Sequence, residues 1–158
     1  MDSGEYKQAA EKYIDTVYRA AYSCCKNKED AEDAVQNVFI KLMTADTEFT
    51  DDEHMKRWLI RCAINECKNN YKSFWHRNKV SFDDMTAEPS YSDKTEQTSE
   101  VMAALMTLPK NYSAVVHLYY YEGYSVKEIS KILDVSESNV QIRLMRARNK
   151  LKSILKEA

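Results

Sequence analysis

Gln141, Arg143, Arg146, Arg148, Lys150 and Lys152 cluster near the end of the chain at positions that one helix turns away from its apolar side. Arg offers a planar fork of donors that fits a guanine edge or a phosphate, and Gln a donor and an acceptor that fit adenine. A second set, Arg57, Arg61, Asn65, Lys68 and Lys72, is spaced four, four, three and four residues apart, which puts it on one helix face. That face is a positive track for a phosphate backbone, and Asn65 can pair with a base edge through both donor and acceptor. Taken alone, it reads equally well as a solvated polar surface. Nothing in the chain has the pattern of catalysis. His54, His76 and His117 stand apart, and there is neither a nucleophile–base set nor a Gly-rich phosphate loop. Cys24, Cys25, Cys62 and Cys67 make no C-x-x-C pair and have no His at ligand spacing. The expectation is a protein that is not an enzyme, with no metal and no cofactor, whose thiols are buried and reduced.

The net charge of −2 conceals a strong segregation. Residues 1–55 carry 6 basic and 13 acidic side chains, whereas residues 56–79 carry 7 basic and 1 acidic. Residues 80–100 return to 1 basic and 6 acidic, and residues 136–158 carry 6 basic and 2 acidic. Two basic segments in an otherwise acidic or neutral chain are each candidates for phosphate contact.

The elements that must position these residues are helical. Two Gly and two Pro in 158 residues leave little room for the turns of a sheet. Apolar residues recur at helical spacing from about Glu5 to Lys26, and again from about Glu29 to Ala45, where Ala31, Ala34, Val35, Val38, Phe39 and Leu42 form a stripe. A third helix is predicted from about Asp52 to Tyr71 or beyond, with Met55, Trp58, Leu59, Cys62, Ala63 and Cys67 inward. The basic, aromatic stretch Tyr71, Phe74, Trp75 follows. The composition then turns to Ser, Asp, Thr and Glu around Pro89, the pattern of a flexible acidic linker over 81–94. It separates an N-terminal domain, 1–80, from a C-terminal one, 95–158. There a helix from about Thr95 to Met106 precedes one that Pro109 opens and Gly123 closes. Ser125 with Glu128 makes a capping box, Asp134 occupies a turn position that favours a left-handed residue, and Ser136 caps a second helix carrying Val140, Leu144 and Leu151 inward. Short helix, tight turn and long basic helix make a helix-turn-helix suited to a major groove. The fold class is all-α: two small helical domains, the second a helix-turn-helix. No apolar run is long enough to cross a bilayer, and the polar N-terminus lacks an apolar signal region, so a cytoplasmic protein is expected.

Asp30-Ala-Glu-Asp33-Ala-Val-Gln36-Asn-Val-Phe-Ile-Lys-Leu42, followed by Trp58-Leu59-Ile-Arg61-Cys-Ala63-Ile-Asn65-Glu-Cys-Lys68-Asn69, resembles the second domain of bacterial sigma factors. The Leu108-Pro109 helix-turn-helix, closing in Arg146-Ala147-Arg148, resembles the fourth. With no intervening domain, the plan resembles the extracytoplasmic-function (ECF) group of the sigma-70 family over nearly the whole chain. The resemblance implies a protein that binds core RNA polymerase and directs it to promoter DNA. It implies that Asp33 and Gln36 dock on the clamp of the largest polymerase subunit. By the same resemblance, Arg57, Arg61, Asn65 and Lys68, with the loop before them, engage the minus-10 element and hold one strand open. Gln141, Ile142, Arg143, Met145 and Arg146 match the positions that read the minus-35 duplex, where Ile142 and Met145 can meet thymine methyls. An anti-sigma partner is also implied. The acidic outer side of the second helix agrees with a protein partner there rather than DNA. The alternative is a stand-alone helix-turn-helix regulator, which would need a dimer to span two half-sites.

Overall fold

The computed structural model describes residues 2–77 and 99–157, and among these every regular element is a helix. The chain divides into two compact units, Met1–Lys79 and Val80–Ala158. The acidic linker expected over 81–94 lies outside the described residues, as do the side chains of Tyr71, Phe74 and Trp75.

The N-terminal unit is a three-helix assembly of α1 (Ser3–Cys25), α2 (Lys28–Thr44) and α3 (Asp52–Arg77). Caps set its boundaries. The Asp2 carboxylate accepts from the Glu5 N–H at 2.8 Å, and the Asn27 side chain accepts from the Asp30 N–H at 2.8 Å. Between them Lys26, at φ 64°, turns the chain through the left-handed region, a conformation that disfavours a residue with a Cβ. The α2 stripe is as its spacing predicts: Ala31, Ala34, Val35, Val38, Phe39 and Leu42 are all buried. Along α3 the inward face is rotated from the expected one. Leu59, Ile60, Ala63, Ile64 and Cys67 are buried, whereas Met55, Trp58 and Cys62 are only half-buried. The reason is that α3 packs against both α1 and α2, so its apolar face must be wide enough to meet two neighbours. Each fully buried Leu, Ile or Val on this seam contributes roughly 1.5–3 kcal/mol. Tyrosine hydroxyls add direction: Tyr6 donates to the Phe39 carbonyl at 3.1 Å and Tyr13 to the Asp52 carbonyl at 3.2 Å.

The expectation of four reduced thiols is corrected for two of them. Cys25, at the end of α1, and Cys67 on α3 are joined by a disulfide with Cα atoms 5.4 Å apart. The pairing spans 42 residues and has no local sequence signal. Cys24, buried, and Cys62, half-buried, form no disulfide.

The C-terminal unit contains α4 (Ser99–Thr107), α5 (Lys110–Val116), a π-helical turn at His117–Tyr121, α6 (Val126–Leu133) and α7 (Glu137–Glu157). Its core gathers Leu108, Val116 and Ala147, with Leu105, Tyr112 and Leu151 against it. The local signals of the helix-turn-helix all appear. Ser125 Oγ accepts from the Glu128 N–H at 3.1 Å while Glu128 Oε1 accepts from the Ser125 N–H at 2.9 Å. Gly123 and Asp134 take positive φ of 79° and 59°. Ser136 Oγ accepts from the Asn139 N–H at 3.0 Å and starts α7. Ile129 and Ile132 of α6 and Val140 and Leu144 of α7 are buried, and the two helices pack on each other.

Candidate functional site

Three helix faces carry the predicted site residues, those of α2 and α3 in the N-terminal unit and that of α7 in the C-terminal one. On α3, Arg61, Asn65 and Lys68 are exposed, and Arg57 is half-buried. Arg57 Nε approaches Glu53 Oε2 at 3.3 Å one turn earlier, a partly exposed pair that contributes little to stability. The structure thus lines up the expected polar face. It also fixes the loop leading into it. Asp51 Oδ1 accepts from the His54 N–H at 2.8 Å, and the Thr50 N–H donates to His54 Nδ1 at 3.1 Å. Phe49 sets its ring edge against His54 and Trp58, with centroids 5.2 and 5.5 Å apart. Trp58, placed in the core by its stripe position, is therefore a half-buried ring propped by the loop. His54 is not isolated but part of this cluster. Sequence reading missed Phe49 because its partners lie across a turn.

On α2, Asp33 and Gln36 are exposed on the outer side. Ile40 and Met43 continue the same face and are 58% and 60% exposed. These two were not foreseen. The signal was available, since both are apolar yet lie off the buried stripe.

Where α2 meets α3, Glu66 is only 7% exposed. Its Oε1 accepts from Asn37 Nδ2 at 3.1 Å and its Oε2 pairs with Lys41 Nζ at 2.6 Å. Glu66 is the one acidic residue of the basic segment 56–79, and that oddity was its sequence signal. One turn earlier, burial pushes the Cys62 thiol above its usual range, an effect that Lys41 opposes and Glu66 reinforces.

On α7, Gln141 and Arg146 are exposed, Arg143 is half-buried, and Ile142 and Met145 are 43% and 51% exposed. Gln141, Ile142, Met145 and Arg146 lie on the accessible side of the helix, away from the buried Val140, Leu144 and Ala147, and Arg143 lies at its edge. Two exposed apolar side chains among polar donors make a surface able to meet both base methyls and base edges. Arg148, grouped by sequence with the outward cations, is engaged within its own unit. Its Nε donates to the Tyr120 hydroxyl at 2.6 Å, and its guanidinium lies over the Tyr119 and Tyr120 rings at 5.9 and 5.7 Å. Among the described residues there is no group of three or more His, Cys, Asp or Glu able to hold a metal ion.

Comparison with known proteins places the chain in a family. Residues 9–77 match Sigma-70 region 2 and residues 98–151 match Sigma-70, region 4. The ECF RNA polymerase sigma factor SigM of Bacillus subtilis is 30% identical over 149 residues, covering 90% of this chain and 90% of that protein. SigM of Mycobacterium tuberculosis is 26% identical over 154 residues, covering 98% of this chain and 79% of its own. Among solved structures, the sigma factor RpoE in complex with the anti-sigma factor NepR, from Bartonella quintana, superposes with a TM-score of 0.72 at 22% identity, covering 96% of this chain and 97% of that one. CnrH in complex with the cytosolic domain of CnrY gives 0.71 at 23% identity, covering 99% and 90%.

Proposed function

The chain belongs to the ECF group of the sigma-70 family and is an RNA polymerase sigma factor, and we propose on that basis how its surfaces divide the work. Core polymerase is held through the α2 face of Asp33 and Gln36, extended by Ile40 and Met43. The α3 face of Arg57, Arg61, Asn65 and Lys68 receives the minus-10 element. Asn65 meets a base that has left the stack, and the cations follow the strand. The α7 face of Gln141, Ile142, Arg143, Met145 and Arg146 reads the minus-35 element as duplex. The domains accordingly serve polymerase and minus-10 binding in 1–80 and minus-35 binding in 95–158, with 81–94 as the connection. Bond formation belongs to the polymerase; the chain contributes binding and strand separation.

The observation that carries this reading is the order of the two sigma-70 regions along one chain, each presenting an exposed polar helix face. Because polymerase and promoters are its partners, the protein acts in the cytoplasm, and no helix among the described residues is long and apolar enough to cross a membrane. Two of its structural neighbours are recorded with an anti-sigma factor or a cytosolic partner domain, which supports an anti-sigma partner here as well.

Run-off transcription with purified core polymerase on genomic fragments tests the proposal. New start sites should depend on the protein and share spaced minus-35 and minus-10 elements. A free dimer that binds a palindromic operator tightly, with no protein-dependent start sites, would instead identify a stand-alone regulator.

A further inference from the structure

Glu66 is a nearly buried carboxylate in a seam that is otherwise apolar. It is held from the opposite helix by two α2 residues one turn apart, Asn37 at 3.1 Å and Lys41 at 2.6 Å. Such a pair is a poor source of net stability, because desolvation offsets much of its attraction. What it does supply is direction. Apolar contacts between the buried side chains of α2 and α3 tolerate a small rotation or slide, whereas two hydrogen bonds to the two oxygens of one carboxylate do not.

The position of the network gives that direction a use. Glu66 directly follows Asn65, and successive residues on a helix differ by a fixed rotation, so fixing one fixes the other. Asn37 and Lys41 directly follow Gln36 and Ile40 on α2. One three-residue network therefore sets the placement of the strand-reading face relative to the polymerase-docking face.

We propose that Glu66, clamped by Asn37 and Lys41, is a positioning residue for promoter opening. It holds α3 at the rotation on α2 that presents Asn65 and Lys68 to the displaced strand while polymerase holds α2. The inference rests on the sigma-factor assignment and deepens it.

The test uses full-length protein with core polymerase. The double variant Lys41→Met with Glu66→Leu removes both charges together, so the buried Glu66 carboxylate is not left without its cation. Its thermal midpoint should match or exceed that of the wild type, and its affinity for core polymerase should stay within about twofold. Permanganate reactivity should show opening of a duplex promoter slowed by roughly tenfold, the scale expected of a misplaced recognition group. Affinity for a pre-melted promoter should fall as well, since the defect lies in strand capture. Glu66→Gln keeps the shape and the Asn37 bond but loses the ion pair, and it serves if the double variant unfolds. It should open promoters about threefold more slowly at an unchanged thermal midpoint. Wild-type opening rates in folded variants would overturn the proposal. So would parallel losses of polymerase affinity and opening, which would make the network a support for docking alone. Wild-type protein that binds no polymerase would sink the sigma-factor reading itself, a different result from normal wild-type opening with unaffected variants.

Discussion

Arg143 and Gln141 are two residues apart on α7 and point to opposite flanks of it, one half-buried and the other exposed, so their reach into a groove differs. Replacing either with Ala should change the preferred minus-35 sequence, each costing about 1–3 kcal/mol at its own base pair if the contact is bidentate. Lys150→Ala should weaken all sequences alike and flatten the salt dependence. Selection from a randomised duplex pool, with holoenzyme, reads all three. An unchanged preference in the Arg143 and Gln141 variants would remove these residues from base reading. On α3, Asn65→Ala should impair opening more than initial docking, because the base proposed as its partner is available only after leaving the stack. A variant that fails to locate promoters but melts them normally once bound would assign Asn65 to duplex recognition instead. Cys62 offers a chemical probe of the same helix. Its thiol is held above the usual range chiefly by burial, so the neutral form persists where an ordinary thiol already ionises. Iodoacetamide should therefore label native Cys62 slowly near neutral pH and faster only as the pH passes the ordinary thiol range. Labelling at neutral pH as fast as in the denatured chain would contradict that environment.

At the scale of elements, local signals were legible and distant ones were not. The Ser125–Glu128 box, the left-handed Asp134 and the Ser136 cap each depend on residues within one turn, so spacing alone exposed them. Ser125→Ala should consequently lower the stability of the C-terminal unit by about 1 kcal/mol, measurable as a drop in its thermal midpoint. The α2 stripe was legible for a related reason, since a helix that buries one face writes a simple period. The inward face of α3 was legible only in part, because a helix lodged against two others buries more than one stripe: Leu59, Ala63 and Cys67 are buried as expected, but Ile60 and Ile64 join them while Met55, Trp58 and Cys62 are only half-buried. The Arg148 clamp on Tyr120 and the Glu66 network depend on partners across the fold, which periodicity cannot report. The same holds for Cys25 and Cys67. Their disulfide ties the end of α1 to α3 across 42 residues, so a reductant should lower the stability of the N-terminal unit by roughly 2–4 kcal/mol. Melting curves with and without dithiothreitol, repeated on Cys25→Ser, test this. Equal midpoints in the wild type would show that the bridge does not form in solution.

For the whole molecule, a net charge of −2 is the sum of opposite local purposes. The basic segments suit DNA, and the acidic outer side of α2 suits a protein. Each reading surface alone neutralises few phosphates, so the free protein should bind duplex DNA weakly. Polymerase, by holding the chain, should raise promoter affinity sharply, as linked binding sites do. If polymerase docks on the α2 face as proposed, that gain enters there, which makes α2 the place to interrupt it. Asp33 and Gln36 are exposed, and Ile40 and Met43 extend their row with apolar surface, the mixture found at a protein interface with a charged rim. None of the four belongs to the buried stripe. Asp33→Arg and Gln36→Ala should therefore change the stability of the free chain by only about 0.5 kcal/mol. Charge reversal at a contact partly desolvated by polymerase should cost several kcal/mol of affinity. The loss should vanish from assays of the C-terminal unit's own DNA contacts, because α7 is untouched. Pull-down with core polymerase, paired with the thermal melt of each variant, decides the matter. Undiminished capture, or loss of capture only in variants that also unfold, would mean that the acidic side of α2 is a solvated surface and that polymerase grips the chain elsewhere.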